Sequence, residues 1–318
     1  MNVQNMRPVL AKIQAYSKII LFRHRRPDGD CLGSSKGLQR ILQLTYPDKE
    51  VYLPESDTST HLSFLGPDDP ALPDEAYRDA LGVVVDTGSK DRISNPKYAL
   101  CRELVKIDHH PDVDPYAATA WVEEDCSSVC EMIAAFYEAF QDELKLDAQA
   151  ATCLYLGLIT DSGRFRFPGV DGDTLRHAAL LLDAGVDTQR LYADLYLRDF
   201  ESYRFQGHVY EALQRTEHGV AWLYISKEDQ QRFGLSFEDA CAAIGYLENI
   251  RGCPIWLAFI DAPDGAIRVR LRSRFVPISH LAEQFHGGGH AFASGATVYG
   301  QEEMLQLVKK ADMLAQTL

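Results

Sequence analysis

Acidic and histidine residues that could bind metal ions recur in four short segments of the chain. The segments read HRRPDGD from His24, DTG from Asp86, DHH from Asp108 and DSG from Asp161. Together they supply carboxylates and imidazoles, without a suitably spaced pair of thiols. Carboxylate oxygens favour hard cations and imidazole nitrogens favour transition metals, so this mixed set suits Mn²⁺, with Fe²⁺, Co²⁺ or Mg²⁺ as alternatives.

The number of candidate ligands exceeds what one octahedral ion that keeps water would use. Two ions that share a bridging carboxylate fit the set better. Such a pair, roughly 3.5–4 Å apart, activates water and holds the oxygens of an in-line phosphoryl displacement. Each segment also has a structural explanation when it is taken alone, since PDGD is a good turn sequence and Asp161 could cap a helix. Taken together, the segments favour phosphoester hydrolysis.

Buried strands are predicted just before three of these segments, at 17–22, 81–85 and 104–107. Each is an apolar run, and the stretches between and after them have helical periodicity at about 32–44, 127–140, 148–159 and 174–184. Strands that are apolar on both faces and separated by helices indicate a parallel sheet covered on both sides. Ligands bind at the carboxyl ends of such strands, so the polar segments should converge there.

The pattern changes after a polar, helical stretch, and this change predicts two domains. We expect an α/β domain over residues 1–190, a helical linker over 191–210 and a smaller α+β domain over 211–318. The second domain has predicted strands at 219–225, 255–261 and 266–274, and predicted helices at 237–248, 278–285 and 302–317. The fold class is therefore α/β, with a parallel sheet, followed by a smaller α+β domain.

Two segments of the second domain could bind phosphate. The first is RVRLRSR, in which every second residue is an arginine. On a strand, residues two apart point to the same face, so these arginines would share one face of the sheet. They are Arg268, Arg270, Arg272 and Arg274. A solvated sheet face is the structural alternative, but adjacent like charges repel and arginine binds phosphate well. The second is a predicted loop that follows a helix, and its glycines let backbone N–H groups approach an anion. It comprises Gly287, Gly288, Gly289 and His290.

Composition limits the class of protein further. The chain has 318 residues, 46% of them hydrophobic, and a formal net charge of -14. That charge argues against a protein that coats duplex nucleic acid, although metal ions can reverse the sign inside a pocket. We see no signal peptide and no membrane span. The seven cysteines include no CxxC pair, which weakens the case for a zinc ribbon, and we interpret Cys126 and Cys130 as packing residues on a helix. We expect a reduced, cytoplasmic protein.

The order of the segments resembles a known family. HRRPDGDCLGSS, VVVDTGS, IDHHP and TDSGRFRF resemble the four motifs of the DHH phosphoesterase superfamily, and RVRLRSR with GGGHAFASG resembles the DHHA1 domain that often follows it. The resemblance covers roughly residues 15 to 310 and is greatest to stand-alone members. It implies hydrolysis of short oligonucleotides (nanoRNA and linear dinucleotides) or of 3′-phosphoadenosine 5′-phosphate to mononucleotides; some members cleave cyclic dinucleotides.

The resemblance also implies roles for residues at matching positions. Six residues would hold two divalent ions, with Mn²⁺ as the first choice: His24, Asp28, Asp30, Asp86, His109 and Asp161. His24 and Asp28 would bind one ion, and Asp86 would bridge both ions. Asp30, His109 and Asp161 would complete the binding site of the second ion. His110 would face the substrate phosphate and assist the leaving group, and Asp108 would orient an imidazole. Ser162 stands where the family more often has threonine.

Several alternatives remain open at this point. Within the superfamily, a manganese-dependent inorganic pyrophosphatase shares the first domain, although GGGH points away from it, and a single-strand exonuclease shares both domains but carries additional ones. From other classes, the chain could be a non-catalytic nucleotide-binding sensor or a purely structural subunit. We expect a short single-stranded RNA or DNA or a nucleotide as partner, with no duplex and no membrane. The oligomeric state stays open, with a homodimer as one alternative.

Overall fold

Two sheets organise the part of the chain that the structure describes. This computed structural model describes residues 1–167 and 169–318, and it divides into two units, Met1–Leu197 and Arg198–Leu318. The first unit holds an α/β fold on a parallel sheet, and the second holds a mixed sheet with helices. The predicted fold class is confirmed.

The sheet of the first unit has the strand order β2-β1-β3-β4-β5, and each neighbouring pair is parallel. Its strands are β1 (Lys18–Phe22), β2 (Glu50–Tyr52), β3 (Leu81–Val85), β4 (Glu103–Asp108) and β5 (Thr119–Val122). The three predicted strands are β1, β3 and β4. The sequence analysis missed β2 and β5, which are short edge strands with few consecutive apolar residues.

Both faces of this sheet are covered. Ile19 and Val83 point into a large core, whereas Ile20 and Val84 point into a smaller core on the other face. Such double burial explains the continuous apolar runs in the sequence. The helices of this unit are α1 (Val3–Ala15), α2 (Gly29–Thr45), α3 (Glu75–Arg78), α4 (Val129–Ala139), α5 (Ala148–Asp161), α6 (Gly172–Asp183) and α7 (Thr188–Tyr196).

Small residues bring α2 and α5 into close contact. A Cβ atom at Gly33 would lie 2.4 Å from the Cys153 carbonyl oxygen, and one at Gly157 would lie 2.9 Å from the Cα of Asp30. No larger side chain fits at either position without moving a backbone. The close packing sets the beginning of α2 beside the end of α5, and both helix ends carry candidate metal ligands.

The predicted helical linker corresponds to the end of α7 and most of α8. The α7 helix ends at Tyr196, and α8 spans Phe200–Ala212. The boundary between the two units falls between these helices, at Leu197. The polar sequence of this stretch is typical of helices that bury only a narrow apolar stripe.

The sheet of the second unit has the strand order β10-β11-β9-β8-β7-β6, and only β7 and β8 pair in parallel among the strands described. The strands are β6 (Gln214–Arg215), β7 (Val220–Ile225), β8 (Ile255–Asp261), β9 (Ile267–Ser273), β10 (Gly288–His290) and β11 (Ala293–Val298). After α8, the helices are α9 (Lys227–Phe233), α10 (Phe237–Ala242), α11 (Ser279–Glu283) and α12 (Gly300–Ala315).

Two predictions for this unit were wrong in detail. Arg274 lies beyond the end of β9, where it donates to the Asn249 side chain, so it does not continue the arginine face. The GGGH segment was predicted as a loop, but Gly288–His290 forms β10 and pairs with β11. Pairing with a partner several residues away stabilises this extended backbone, and glycine propensity alone does not reveal it. Nowhere in the described ranges is a helix long and apolar enough to cross a membrane.

Candidate metal centre

The ends of three neighbouring strands bring the polar segments together. His24 lies two residues after β1, Asp86 directly follows β3, and Asp108 is the last residue of β4, with His109 and His110 after it. Because β1, β3 and β4 are adjacent and parallel, these residues share one edge of the sheet. The convergence expected from the sequence is therefore present.

Two helix ends supply the remaining acids. Asp28 is the N-cap of α2 and accepts a hydrogen bond from the Cys31 backbone N–H at 3.0 Å. Asp30 lies in the first turn of the same helix, and Asp161 is the last residue of α5. Both oxygens of Asp30 accept backbone hydrogen bonds at the start of α4, from Val129 at 2.7 Å and Cys130 at 2.8 Å. These contacts fix the Asp30 carboxylate in place.

Asp86 lies at the centre of the cluster. Its Oδ2 is 3.3 Å from His24 Nε2, and its Oδ1 is 3.6 Å from His109 Nε2 and 3.5 Å from His110 Nδ1. The residue is buried, yet Oδ1 has no hydrogen-bond partner among the described residues. An unpaired buried carboxylate oxygen is costly, and a cation would compensate it. The donor set around Asp86 thus fits divalent metal ions.

The backbone orients two of the imidazoles toward this centre. His24 Nδ1 lies 2.8 Å from the Arg25 carbonyl oxygen, and His109 Nδ1 lies 3.1 Å from the Cys126 carbonyl oxygen. When Nδ1 donates to a carbonyl, the lone pair of the neutral ring is on Nε2. In both residues Nε2 is the atom nearest to the acids, which is the arrangement a metal ligand requires.

Like charges make the metal-free cluster unfavourable. Burial, reinforced by the charges of Asp86 and Asp161, holds the pKa of Asp30 well above its usual range. Burial likewise raises the pKa of Asp161 to about 6, with His109 partly opposing the shift. Burial opposes protonation of His24, but Asp28 and Asp86 outweigh it and raise the pKa of that imidazole. A divalent cation would replace these protons.

His110 and Asp108 form a separate pair at the rim. Asp108 is fully buried, and its Oδ1 lies 2.8 Å from His110 Nδ1 while Oδ2 lies 3.4 Å from Lys106 Nζ. The hydrogen bond to Asp108 raises the pKa of His110. The His110 side chain is 43% exposed, so it remains accessible to a ligand. Asp108 therefore orients His110 and favours its charged form.

Three groups of donor atoms within the described ranges have the spacing of a metal site. They are His24, Cys31 and Asp86; Asp86, His109 and His110; and Asp30, His109 and Asp161. Asp28 stands at the edge, with Oδ2 3.7 Å from His24 Nε2. All six predicted ligands are thus brought together, and their assignment to particular ions stays a prediction.

Sequence reasoning missed three residues near the centre. Lys106 is fully buried within an apolar strand and bonds to Asp112 at 2.9 Å. Cys31 was not considered as a metal ligand. Glu131 is buried in α4, where its carboxylate accepts from Ser127. A lysine inside a strand with two apolar faces was the one available signal, because a buried charge needs a partner.

Glu131 connects α6 to the loop before α4, whose backbone contacts candidate metal ligands. Its carboxylate accepts from Thr174 Oγ1 at 3.1 Å and from His177 Nδ1 at 3.2 Å, as well as from Ser127. This loop provides the Cys126 carbonyl that orients His109, and it leads into the N–H groups that hold Asp30. The network therefore supports the geometry of the centre without belonging to it.

We expect Glu131→Gln to lower the free energy of unfolding by roughly 1–3 kcal/mol near pH 7, because a buried charge-assisted network is lost. Burial opposes ionisation of Glu131, but His177 and Ser127 outweigh it and lower the carboxyl pKa below 4.5. Its stabilisation is thus present above that value and lost as the pH falls through the folded-state pKa. Urea unfolding at several pH values measures this; the variant should lose part of the acid-side dependence.

Glu138→Gln is the matched control, since Glu138 is largely exposed and lies 3.5 Å from the other nitrogen of His177. We expect it to change stability by less than about 0.5 kcal/mol. Equal effects of the two substitutions would contradict the structural role given to Glu131.

The arginines of the second unit differ in their partners. Arg268, Arg270 and Arg272 alternate with buried residues on β9 and so share one face. Arg268 is paired with Asp264 at 2.7 Å, whereas no carboxylate among the described residues pairs with Arg270 or Arg272. Burial, with the adjacent charge of Arg270, lowers the pKa of Arg272. Repulsion between two such cations favours an anion near them.

Comparison with known proteins decides the family. Residues 18–158 match the DHH family, N-terminal domain, and residues 217–317 match the DHHA1 domain. The chain is 36% identical to "Bifunctional oligoribonuclease and PAP phosphatase NrnA" of Bacillus subtilis (strain 168) over 307 residues, covering 96% of this chain and 97% of that protein. This chain belongs to the DHH family. DHH proteins of this type are metal-dependent phosphoesterases, and the predicted enzyme class is confirmed.

Other relatives agree with this membership of the DHH family. The chain is 36% identical to "Probable bifunctional oligoribonuclease and PAP phosphatase NrnA" of Streptococcus mutans, covering 93% of this chain and 94% of that protein. Among solved structures, an exopolyphosphatase-related protein from Bacteroides fragilis matches with a TM-score of 0.85 and 23% identity, covering 98% of this chain and 96% of that chain. At that identity the match supports the fold alone.

Proposed function

We propose that this protein is a two-metal phosphoesterase that hydrolyses short oligonucleotides, such as nanoRNA and linear dinucleotides, and 3′-phosphoadenosine 5′-phosphate to mononucleotides. The observation that carries the proposal is the buried Asp86 carboxylate, whose unpartnered Oδ1 lies within 3.6 Å of imidazole nitrogens of both His109 and His110. The names of the relatives from Bacillus subtilis and Streptococcus mutans support the choice of substrates.

We assign two divalent ions, with Mn²⁺ first and Mg²⁺, Co²⁺ or Fe²⁺ as alternatives, to the six clustered ligands. When bound, such ions supply an activated water and stabilise the charge that develops on the phosphoryl oxygens. The protein's own part is to keep the ligands in place. Backbone N–H groups hold Asp30, and backbone carbonyls direct the Nε2 atoms of His24 and His109 inward.

His110 is the proposed proton donor to the leaving oxygen. Its Nδ1 donates to Asp108, which leaves Nε2 to carry the transferable proton, and the raised pKa favours the charged form. A general acid must hold its proton near the working pH and lie within reach of the leaving atom. The partial exposure of His110 meets the second requirement for a substrate that binds at the rim.

The arginine face of the second unit is the proposed substrate platform. A cavity of about 290 Å³ is lined by Arg268 and Arg270 together with Phe237 and His286. Cations beside aromatic rings suit a nucleotide, whose phosphate pairs with arginine and whose base stacks. Arg272 and the segment Gly287, Gly288, Gly289 and His290 complete the proposed platform. Since Gly288–His290 is a strand, it would contact substrate as an exposed strand edge rather than as a loop.

We expect Arg270→Ala to raise KM for nucleotide substrates roughly 10- to 100-fold with kcat nearly kept, because one charge-assisted phosphate contact is worth about 1.5–3 kcal/mol. Arg268→Ala is the control, since Asp264 already neutralises that guanidinium, and its KM should change much less. Steady-state kinetics with a dinucleotide measures both variants. If Arg270→Ala left KM unchanged for every nucleotide tested, the platform would be wrong.

A substrate panel tests the proposed function. Purified protein with Mn²⁺ is incubated with a dinucleotide, a longer single strand, a duplex, 3′-phosphoadenosine 5′-phosphate, a cyclic dinucleotide and pyrophosphate. We expect the dinucleotide and 3′-phosphoadenosine 5′-phosphate to be hydrolysed fastest. Rapid turnover of pyrophosphate alone would favour the pyrophosphatase alternative, and binding of nucleotides without hydrolysis would favour the sensor.

The duplex in that panel tests the electrostatic argument. A net charge of -14 opposes binding to a long polyanion, whereas a short substrate needs only the local cations of the platform and the metal centre. We therefore expect the duplex to remain intact. The seven cysteines are free thiols, which supports our proposal of a reducing, cytoplasmic location.

A further inference from the structure

The Cys31 side chain lies at the metal centre but has no part in the proposed function. Cys31 is fully buried in the first turn of α2, and its Sγ lies in one group with His24 and Asp86, with all ligand atoms within 4.8 Å of one another. The Asp28 cap on the Cys31 backbone N–H holds the residue there. The Cys31 sulfur therefore lies among the candidate donor atoms of the centre.

The other members of this group are poised to share a cation with the thiol. In the neutral ring that binds a metal, His24 Nε2 carries the lone pair, because Nδ1 donates to the Arg25 carbonyl at 2.8 Å. Asp86 is nine-tenths buried or more; its Oδ2 lies 3.3 Å from His24 Nε2, and its Oδ1 has no hydrogen-bond partner in the described ranges. Within the described ranges, the Cys31 thiol donates only a long hydrogen bond of 3.9 Å, to the His24 carbonyl oxygen. This contact is weak enough to leave the sulfur available to a metal ion.

Sulfur changes which ion this position prefers. One nitrogen, one thiolate and one carboxylate oxygen form a mixed set of three donors, and Asp28 lies at its edge, with Oδ2 3.7 Å from His24 Nε2. Such a set suits tetrahedral Zn²⁺ or Co²⁺ better than Mn²⁺. Thiolate ligands select softer ions, whereas Mn²⁺ and Mg²⁺ prefer oxygen. The six other proposed ligands of the centre provide only carboxylate or imidazole, so the sulfur would affect the metal preference of one of the two positions.

We propose that Cys31 is a thiolate ligand of the metal position formed by His24 and Asp86, and that it makes this position selective for borderline ions such as Zn²⁺ and Co²⁺. On binding, the S–H bond breaks, its proton passes to solvent and a sulfur–metal bond forms without a change of oxidation state. Metal ions deprotonate a coordinating thiol outright. The inference rests on the metal centre of the proposed function, and it adds a determinant of metal choice.

Cobalt spectroscopy tests the sulfur–metal bond directly. Metal-free protein is titrated with Co²⁺ under anaerobic conditions, and the thiolate-to-cobalt charge-transfer band is recorded in the near ultraviolet. We expect the band in the wild type and its loss in Cys31→Ala and in Cys31→Ser, which keeps the side-chain volume. Cys130→Ala is the matched control, because Cys130 contacts Asp30 but lies outside the sulfur-containing group; it should keep the band.

Competition binding gives a second readout. We expect Cys31→Ser to lower the ratio of Zn²⁺ affinity to Mn²⁺ affinity roughly 10- to 100-fold. Loss of a residue that only supports a metal ligand typically lowers metal affinity by that factor, so loss of a ligand should lower it at least as much. A wild-type Co²⁺ complex without the band, or a band that survives in both Cys31 variants, would overturn the proposal. Its failure is distinct from that of the proposed function, which would appear as absent hydrolysis by wild-type protein with Mn²⁺, whatever the cobalt spectrum.

Discussion

Asp86→Asn should reduce phosphoester hydrolysis roughly 10³-fold or more, because several kcal/mol of metal-dependent transition-state stabilisation depend on this carboxylate. Among the described residues, Asp86 is the carboxylate within 4 Å of imidazole nitrogens of His24, His109 and His110. Asparagine is the right replacement because the backbone of Asp86 has φ 51°, in the left-handed region. Asparagine tolerates that conformation, whereas alanine would add strain of about 1–2 kcal/mol.

Stability separates a catalytic role of Asp86 from a structural one. The substitution removes repulsion from Asp30 and Asp161, and it also removes attraction to His24. These effects oppose each other, so we expect metal-free Asp86→Asn to keep its unfolding free energy within about 1 kcal/mol of the wild type. Hydrolysis and urea unfolding are measured on the same preparation. Asp173→Asn, at an exposed position, serves as the control. Normal turnover by a metal-replete Asp86→Asn protein would contradict the assignment of Asp86 as a metal ligand.

Mn²⁺ should stabilise the protein strongly at about pH 8 and weakly at about pH 5, because ligands must be deprotonated to bind the ion. The folded-state pKa values of Asp30, Asp161 and His24 are all raised. For Asp161 the shift is from 3.8 to about 6. A raised pKa favours folding below the unfolded value, and that contribution is lost as the pH rises through about 6.

The metal-free protein therefore loses stability over the same window in which Mn²⁺ binding becomes favourable. At a free concentration about 100 times the Kd, the ion should add about 2.7 kcal/mol to the free energy of unfolding. Thermal unfolding with and without Mn²⁺ between about pH 5 and pH 8 measures the difference. Asp86→Asn should show little gain at any pH. A gain independent of pH would argue against the protonated carboxylates as ligands.

The part of the site that follows strand ends could be predicted from the sequence. An apolar run followed directly by a polar residue predicts both the strand and the edge at which it ends, as for Val85 and Asp86. Parallel order then brings distant segments together. The close approach of α2 to α5 could not be predicted, because the contact of Gly33 with the Cys153 carbonyl depends on tertiary packing.

The supporting residues escaped sequence analysis for a related reason. Glu131 lies in a helix whose other inward residues are apolar, and only its hydrogen bonds to Thr174 and His177 explain its burial. Cys31 looks like a packing residue until its distance to His24 and Asp86 is known. Alternation predicted the shared face of Arg268, Arg270 and Arg272, but it could not predict that β9 ends before Arg274.

Metal stoichiometry during turnover tests the two-ion centre most directly. Metal-free protein is titrated with Mn²⁺ while free ion is followed by electron paramagnetic resonance and hydrolysis of a dinucleotide is recorded in the same samples. We expect no hydrolysis without metal, and we expect the rate of hydrolysis to rise as a second ion binds to each chain. Full activity of metal-free protein, or activity that saturates with one bound ion per chain, would contradict the two-metal account.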